Sequence, residues 1–191
     1  MIMKKLTYSL LVLAVAAFAV GCKGKKETAK PKGETEVIVP CSGSEYFTTN
    51  KVFRANSIGE SQDQQTSKKK ALTNARNELA QSIQTTVKTV TDNYVNSREM
   101  NNREEVEERF ESLNREIVDQ TITGVRTICE KLMKTEAGTY KTYIALELSA
   151  ADLVSAYNEK ISKDERLRID YDYEKFKETF EKEMEKMGKG N

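Results

Sequence analysis

Residues 139–148, TYKTYIALEL, decide the fold. Tyr140, Thr142, Ile144, Leu146 and Leu148 fall on one side of an extended chain, and Lys141, Tyr143, Ala145 and Glu147 on the other. That alternation is the period of a half-buried β-strand. Residues 121–134 (TITGVRTICEKLMK) are rich in β-branched side chains and predict a second strand. Between the two lies Thr135-Glu136-Ala137-Gly138, in which Gly138 supplies a position that tolerates positive φ. The pair therefore reads as an antiparallel hairpin.

Helical periodicity surrounds this hairpin. Ser149 and Asp152 form a capping-box-like start to a helix whose Leu153, Val154, Tyr157 and Ile161 face inward. Upstream, residues 67–95 carry Leu72, Ala75, Leu79, Ile83, Val87, Val90 and Tyr94 at spacings of three and four, with Ser67 as the N-cap. Lys70, Asn77, Gln81 and Lys88 sit opposite that stripe. Residues 98–118 predict a more charged helix with a narrow apolar face of Val106, Phe110, Leu113 and Ile117, suited to packing within the chain or to an oligomer contact. Residues 51–61 (KVFRANSIGES) read as a short strand with an irregular end. The order strand, helix, helix, hairpin, helix specifies an α+β domain over 37–162, a small antiparallel sheet covered by helices.

Residues 163–191 continue as a charged amphipathic helix. Ile169, Tyr173, Phe176, Phe180, Met184 and Met187 recur at helical spacing amid Glu and Lys, and Glu178→Lys182 is a favourable i,i+4 pair. The stripe spans about two and a half heptads, fewer than the three to four of a secure coiled coil. It can lie on its own domain, or serve as an interaction helix for self-association or for envelope proteins.

The N-terminus is of a different kind. Lys4 and Lys5 precede the apolar run Leu6–Val20, which is shorter than the ~20 residues of a membrane-spanning helix. The run closes on Ala19-Val20-Gly21-Cys22. This resembles a lipobox, the signal after which a cysteine is acylated and becomes the first mature residue. It implies a signal peptide over 1–21 and a fatty-acid anchor such as palmitate on Cys22. Residues 22–36 then form a Lys-rich tether without bulky apolar side chains, with a coil span of ~20 Å. Lys23 occupies the position where Asp would favour inner-membrane retention. In a two-membrane cell the expected location is therefore the outer membrane, facing the periplasm.

Composition excludes several classes. Loss of residues 1–21 removes two lysines and no acid, so the net charge passes from +1 to −1, without the basic excess of a nucleic-acid binder. No His and no Trp are present, which removes Ser-His-Asp and Cys-His catalysis and imidazole metal sites. Carboxylates are abundant but lie on solvated helix faces, and Asp170 and Asp172 match no calcium loop. Neither enzyme activity, a metal nor another cofactor is expected. Of three cysteines, Cys22 is assigned to lipid. Cys41 and Cys129 either form a disulfide in an oxidising compartment or leave Cys129 buried and Cys41 free.

FRANSIGES at 53–61, ALTNARNELAQSI at 71–83 and GTYKTYIALEL at 138–148 resemble the LPP20-type lipoproteins. The likeness spans roughly residues 50–160 and rests mainly on small-residue packing patterns. It implies a small domain related to the N-terminal domain of the flagellar protein FlgT, anchored by lipid and without catalytic residues. Two functions fit. One is a lipid-anchored interaction or assembly module of the cell envelope. The other is a structural or ligand-binding lipoprotein that contacts cell-wall polymer or a small envelope ligand.

Overall fold

The computed structural model describes residues 33, 35, 37–98, 103–169 and 171–189. Residues 1–32, including Cys22, lie outside that set. The chain divides into two units, Met1–Val37 and Ile38–Asn191, and the architecture below is that of the second.

The domain is α+β. Three strands, β1 (Val52–Ser61), β2 (Arg126–Lys134) and β3 (Tyr140–Ser149), form an antiparallel sheet in the order β1-β3-β2. Among the described residues there are four α-helices: α1 (Gln64–Asn96), α2 (Arg103–Thr121), α3 (Ala150–Lys163) and α4 (Tyr173–Lys189). The hairpin forms at the expected turn. The Thr135 N–H donates to the Thr139 carbonyl at 2.8 Å, the Gly138 N–H to the Thr135 carbonyl at 2.9 Å, and Gly138 has φ +83°. This is a three-residue loop closed by a left-handed glycine. Ser149 caps α3 by accepting from the Asp152 N–H at 3.3 Å.

β3 is the central strand, and its register sets both faces. Phe53 pairs with Leu148, Ala55 with Leu146 and Gly59 with Thr142, so the alternating set from the sequence lines the helix-covered face. α1 crosses that face at very close range. A Cβ built on Gly59 would lie 2.2 Å from the Ser67 carbonyl oxygen and 2.4 Å from the Ala71 nitrogen, so only glycine admits this approach. Ala71 and Ala75 keep the seam narrow, and Leu79, Ile83, Val87, Val90 and Tyr94 continue it into the core.

Several boundaries differ from the sequence reading for identifiable reasons. Asp63, not Ser67, caps α1: its carboxylate accepts from the Thr66 N–H at 2.7 Å. Ser67 lies one turn inside, fully buried, and its hydroxyl donates to the Gly59 carbonyl at 2.9 Å. Residues 121–125 are not strand. Thr121 ends α2, and Ile122–Gly124 make a 3-10 turn before β2 starts at Arg126. The last helix begins at Tyr173 and not near 163: Lys163 ends α3, and a 3-10 turn follows at Leu167–Ile169.

α2 packs within the chain through its narrow face. Phe110, Leu113, Ile117 and Val118 are buried, with Phe110 edge-on to Tyr94 at 6.1 Å. No helix among the described residues is long and apolar enough to cross a membrane.

Candidate functional site

The residues singled out by sequence fall in three places. Cys22 lies outside the described residues. Cys41 and Cys129 meet on the sheet surface away from the helices, and the C-terminal stripe meets the core.

Cys41 and Cys129 form a disulfide across a Cα separation of 5.6 Å and a sequence separation of 88. The register places one partner and the approach segment the other. Cys129 pairs with Ala145 on the sheet face opposite α1, and a bulge between Thr127 and Cys129 inserts Ile128. Cys41 reaches that face with φ 59°, a left-handed conformation uncommon outside glycine. The approach segment is thereby pinned over half of the sheet. Ala145 and Glu147, on the face expected to be the more open, are consequently buried.

Glu147 is the charged centre of this region. Its Oε2 accepts from the Arg54 Nε at 2.9 Å and from an Arg54 terminal nitrogen at 2.6 Å, while Oε1 accepts from Arg126 at 2.6 Å. Arg54 also donates to the carbonyls of Glu45 and Phe47 at 3.0 and 3.3 Å. A buried carboxylate is thus shared by two guanidiniums, one of which ties the approach segment to β1. Nothing in the sequence spacing marks this triad, because its members come from all three strands.

The C-terminal stripe is spent inside the domain. Phe176, Phe180 and Met184 are buried, and Tyr173 is half-buried. Phe176 stacks on Tyr157 of α3 and meets Tyr94 of α1 edge-on, both with ring centroids 5.5 Å apart, and Phe180 meets Phe53 of β1 at 6.4 Å. The Asp172 N–H donates to the Tyr94 hydroxyl at 2.8 Å, fixing the entry to α4. The stripe thus lies on its own domain, one of the two arrangements that the sequence allows. Only Ile169, in the preceding turn, stands in solvent, 76% exposed.

Grooves flank α1 among the described residues. One, of about 590 Å³ between α1 and α2, is lined by Asp92, Glu104, Glu107, Glu108 and Glu111 together with Lys88 and Arg115. Asn114 lies at its floor, accepting from the Tyr157 hydroxyl at 3.0 Å and donating to the Thr91 hydroxyl at 3.2 Å. A second, of about 450 Å³, lies between α1 and α4 and includes Glu78, whose carboxyl is pushed up by partial burial. No group of three or more Cys, Asp or Glu among the described residues is placed to hold a metal ion.

Asp164 closes the far end of the bundle. It accepts from the Leu167 and Arg166 N–H groups at 3.0 Å each and from the Arg109 Nε at 2.6 Å. Burial alone would raise its pKa, but these donors outweigh burial and hold the carboxyl below the usual aspartate range. The role is architectural, joining the end of α3 to α2.

Compared with protein-family models, curated proteins and solved structures, the chain has no match in any of the three.

Proposed function

We propose that this chain is a lipid-anchored cell-envelope protein, acylated on Cys22, whose α+β domain is a non-catalytic interaction or assembly module. The observation that supports it is the allocation of its three cysteines. Cys41 and Cys129 are joined within the domain, which suits an oxidising compartment, and Cys22 is left beside a small-residue signal end. The charged surface of the domain and the grooves along α1 suit contact with other envelope components. The resemblance to LPP20-type lipoproteins belongs to this same reading.

The test is metabolic labelling with a fatty acid in the producing bacterium, followed by membrane fractionation. The wild type should take up label and sediment with membranes, and Cys22→Ala should lose both. An unlabelled wild type, or a Cys22→Ala protein still processed after Gly21 and still membrane-bound, would sink the anchor.

A further inference from the structure

The two edges of the sheet are treated differently. At the β1 edge, the Thr48 hydroxyl accepts from the Arg54 N–H at 2.9 Å and donates to the Arg54 carbonyl at 3.1 Å, so a side chain occupies both outward backbone groups of Arg54. At the β2 edge nothing among the described residues does this. β2 is exposed along almost its whole length, and Ile128, Leu132 and Met133 are 37%, 43% and 47% exposed.

The hairpin fixes which β2 groups are open. Thr135 bonds inward to Thr139, so by antiparallel alternation Met133, Lys131 and Cys129 also bond inward, to β3. Lys134, Leu132 and Glu130 therefore turn their N–H and C=O groups outward. Their side chains share the helix-side face, since Leu132 pairs with Thr142 and Glu130 with Ile144. The open edge reads Glu-x-Leu-x-Lys. That pattern is self-complementary in the antiparallel sense: a two-fold axis through Leu132 sets Glu130 opposite Lys134 of a second copy, and Lys134 opposite its Glu130. Two neighbouring registers are penalised: an axis at Glu130 sets Glu130 on Glu130, and an axis at Lys131 opposes two lysines.

We propose that β2 is the contact strand of a homodimer, in which two copies of this chain join edge to edge into a six-stranded sheet about Leu132. In that register Leu132 meets Leu132, and the three outward residues of each strand supply six backbone hydrogen bonds. Glu130 is already oriented by Lys68, whose ammonium is 2.8 Å from Oε1, and its second oxygen is left for the partner's lysine. α1 packs over β1 and β3, so no helix among the described residues covers the shared edge. The bulge at Ile128 ends the pairing surface on one side and the Gly138 turn ends it on the other. Both copies use the same edge about a two-fold axis, so the joint closes as a dimer and does not extend into a fibre.

The test is sedimentation equilibrium of the full chain in density-matched detergent over a wide concentration range. Wild type should pass from the mass of one chain to twice that mass. Glu130→Lys and Lys134→Glu, each alone, should weaken dimerisation tenfold or more. An equimolar mixture of these two variants should recover it, because both cross-strand pairs are then of opposite sign. Leu132→Cys should cross-link to itself on mild oxidation, as an opposed pair about 5.5 Å apart at Cα suits a disulfide. Met133→Cys, which faces Lys131 of the partner, should not. A mass that stays at one chain with no Leu132→Cys cross-link would overturn the proposal. So would a dimer indifferent to the two charge variants, which would place the contact elsewhere. Because none of these readouts depends on Cys22, they fail or succeed independently of the lipid anchor.

Discussion

The Ser67 carbonyl oxygen lies so close to the α-carbon of Gly59 that a methyl group there would sit 2.2 Å from it. The long helix therefore rests directly on β1 backbone, and the Ser67 hydroxyl, between the Gly59 carbonyl at 2.9 Å and the Thr142 hydroxyl at 2.8 Å, satisfies the polar groups that this contact buries. Gly59→Ala must push α1 off the sheet, since the obstructing atoms are backbone. Overpacking of this kind costs about 1–3 kcal/mol. The expected outcome is a fall in thermal midpoint of several degrees, read by circular dichroism; an unchanged midpoint would show that the crossing is looser than the geometry states.

The Cys41–Cys129 bond closes a span of 88 residues and holds the approach segment over Ala145 and Glu147. Reduction, or Cys129→Ala, should cost about 2–4 kcal/mol in urea unfolding. Cys41→Ala should cost the same, and the double variant no more than either single one, because both single changes delete one shared constraint.

Phe176 joins α1, α3 and α4 through its contacts with Tyr94 and Tyr157, and it is fully buried. Phe176→Ala should destabilise the whole domain by about 3–5 kcal/mol. Ile169→Ala, in the exposed turn, should change stability by less than about 0.5 kcal/mol. Equal effects at the two positions would show that α4 is not docked as described.

Asp164 gives the pH dependence a definite sign. Its folded-state pKa is depressed, so its contribution is present above the unfolded value and is lost as pH falls through the folded value. Asp164→Asn should therefore lower stability at neutral pH, by about 1–2 kcal/mol for a charged cap and ion pair. The difference from wild type should shrink below about pH 4, where an ordinary aspartate protonates. Chemical denaturation at pH 7 and pH 3 measures it; a gap that is constant with pH would remove Arg109 and the turn amides as the source.

Much of the fold is legible in single stretches of sequence. Tyr140 to Leu148 alternates because a strand has period two, Leu79 to Tyr94 recurs because a helix has period 3.6, and Gly138 and Ser149 mark the ends because turns and caps demand those residue types. The site is less legible. Glu147, Arg54 and Arg126 are scattered over the chain, and their convergence depends on strand order.

The α+β class, the hairpin and its turn, the start of α3 and the amphipathic character of α4 all follow from local backbone geometry and can be read from short stretches of residues. What those elements meet depends on the folded arrangement. Ser67 reads locally as a cap, yet Gly59 leaves space that draws it into the helix–strand contact, and the exposed Asp63 takes the capping role. The stripe of Phe176, Phe180 and Met184 had to be covered by something, and Tyr94, Tyr157 and Phe53 of the same chain cover it. Cys41 and Cys129 likewise became partners only when the fold brought their α-carbons 5.6 Å apart. Periodicity fixes which face of an element is apolar, whereas the partner of that face depends on distances between residues remote in sequence.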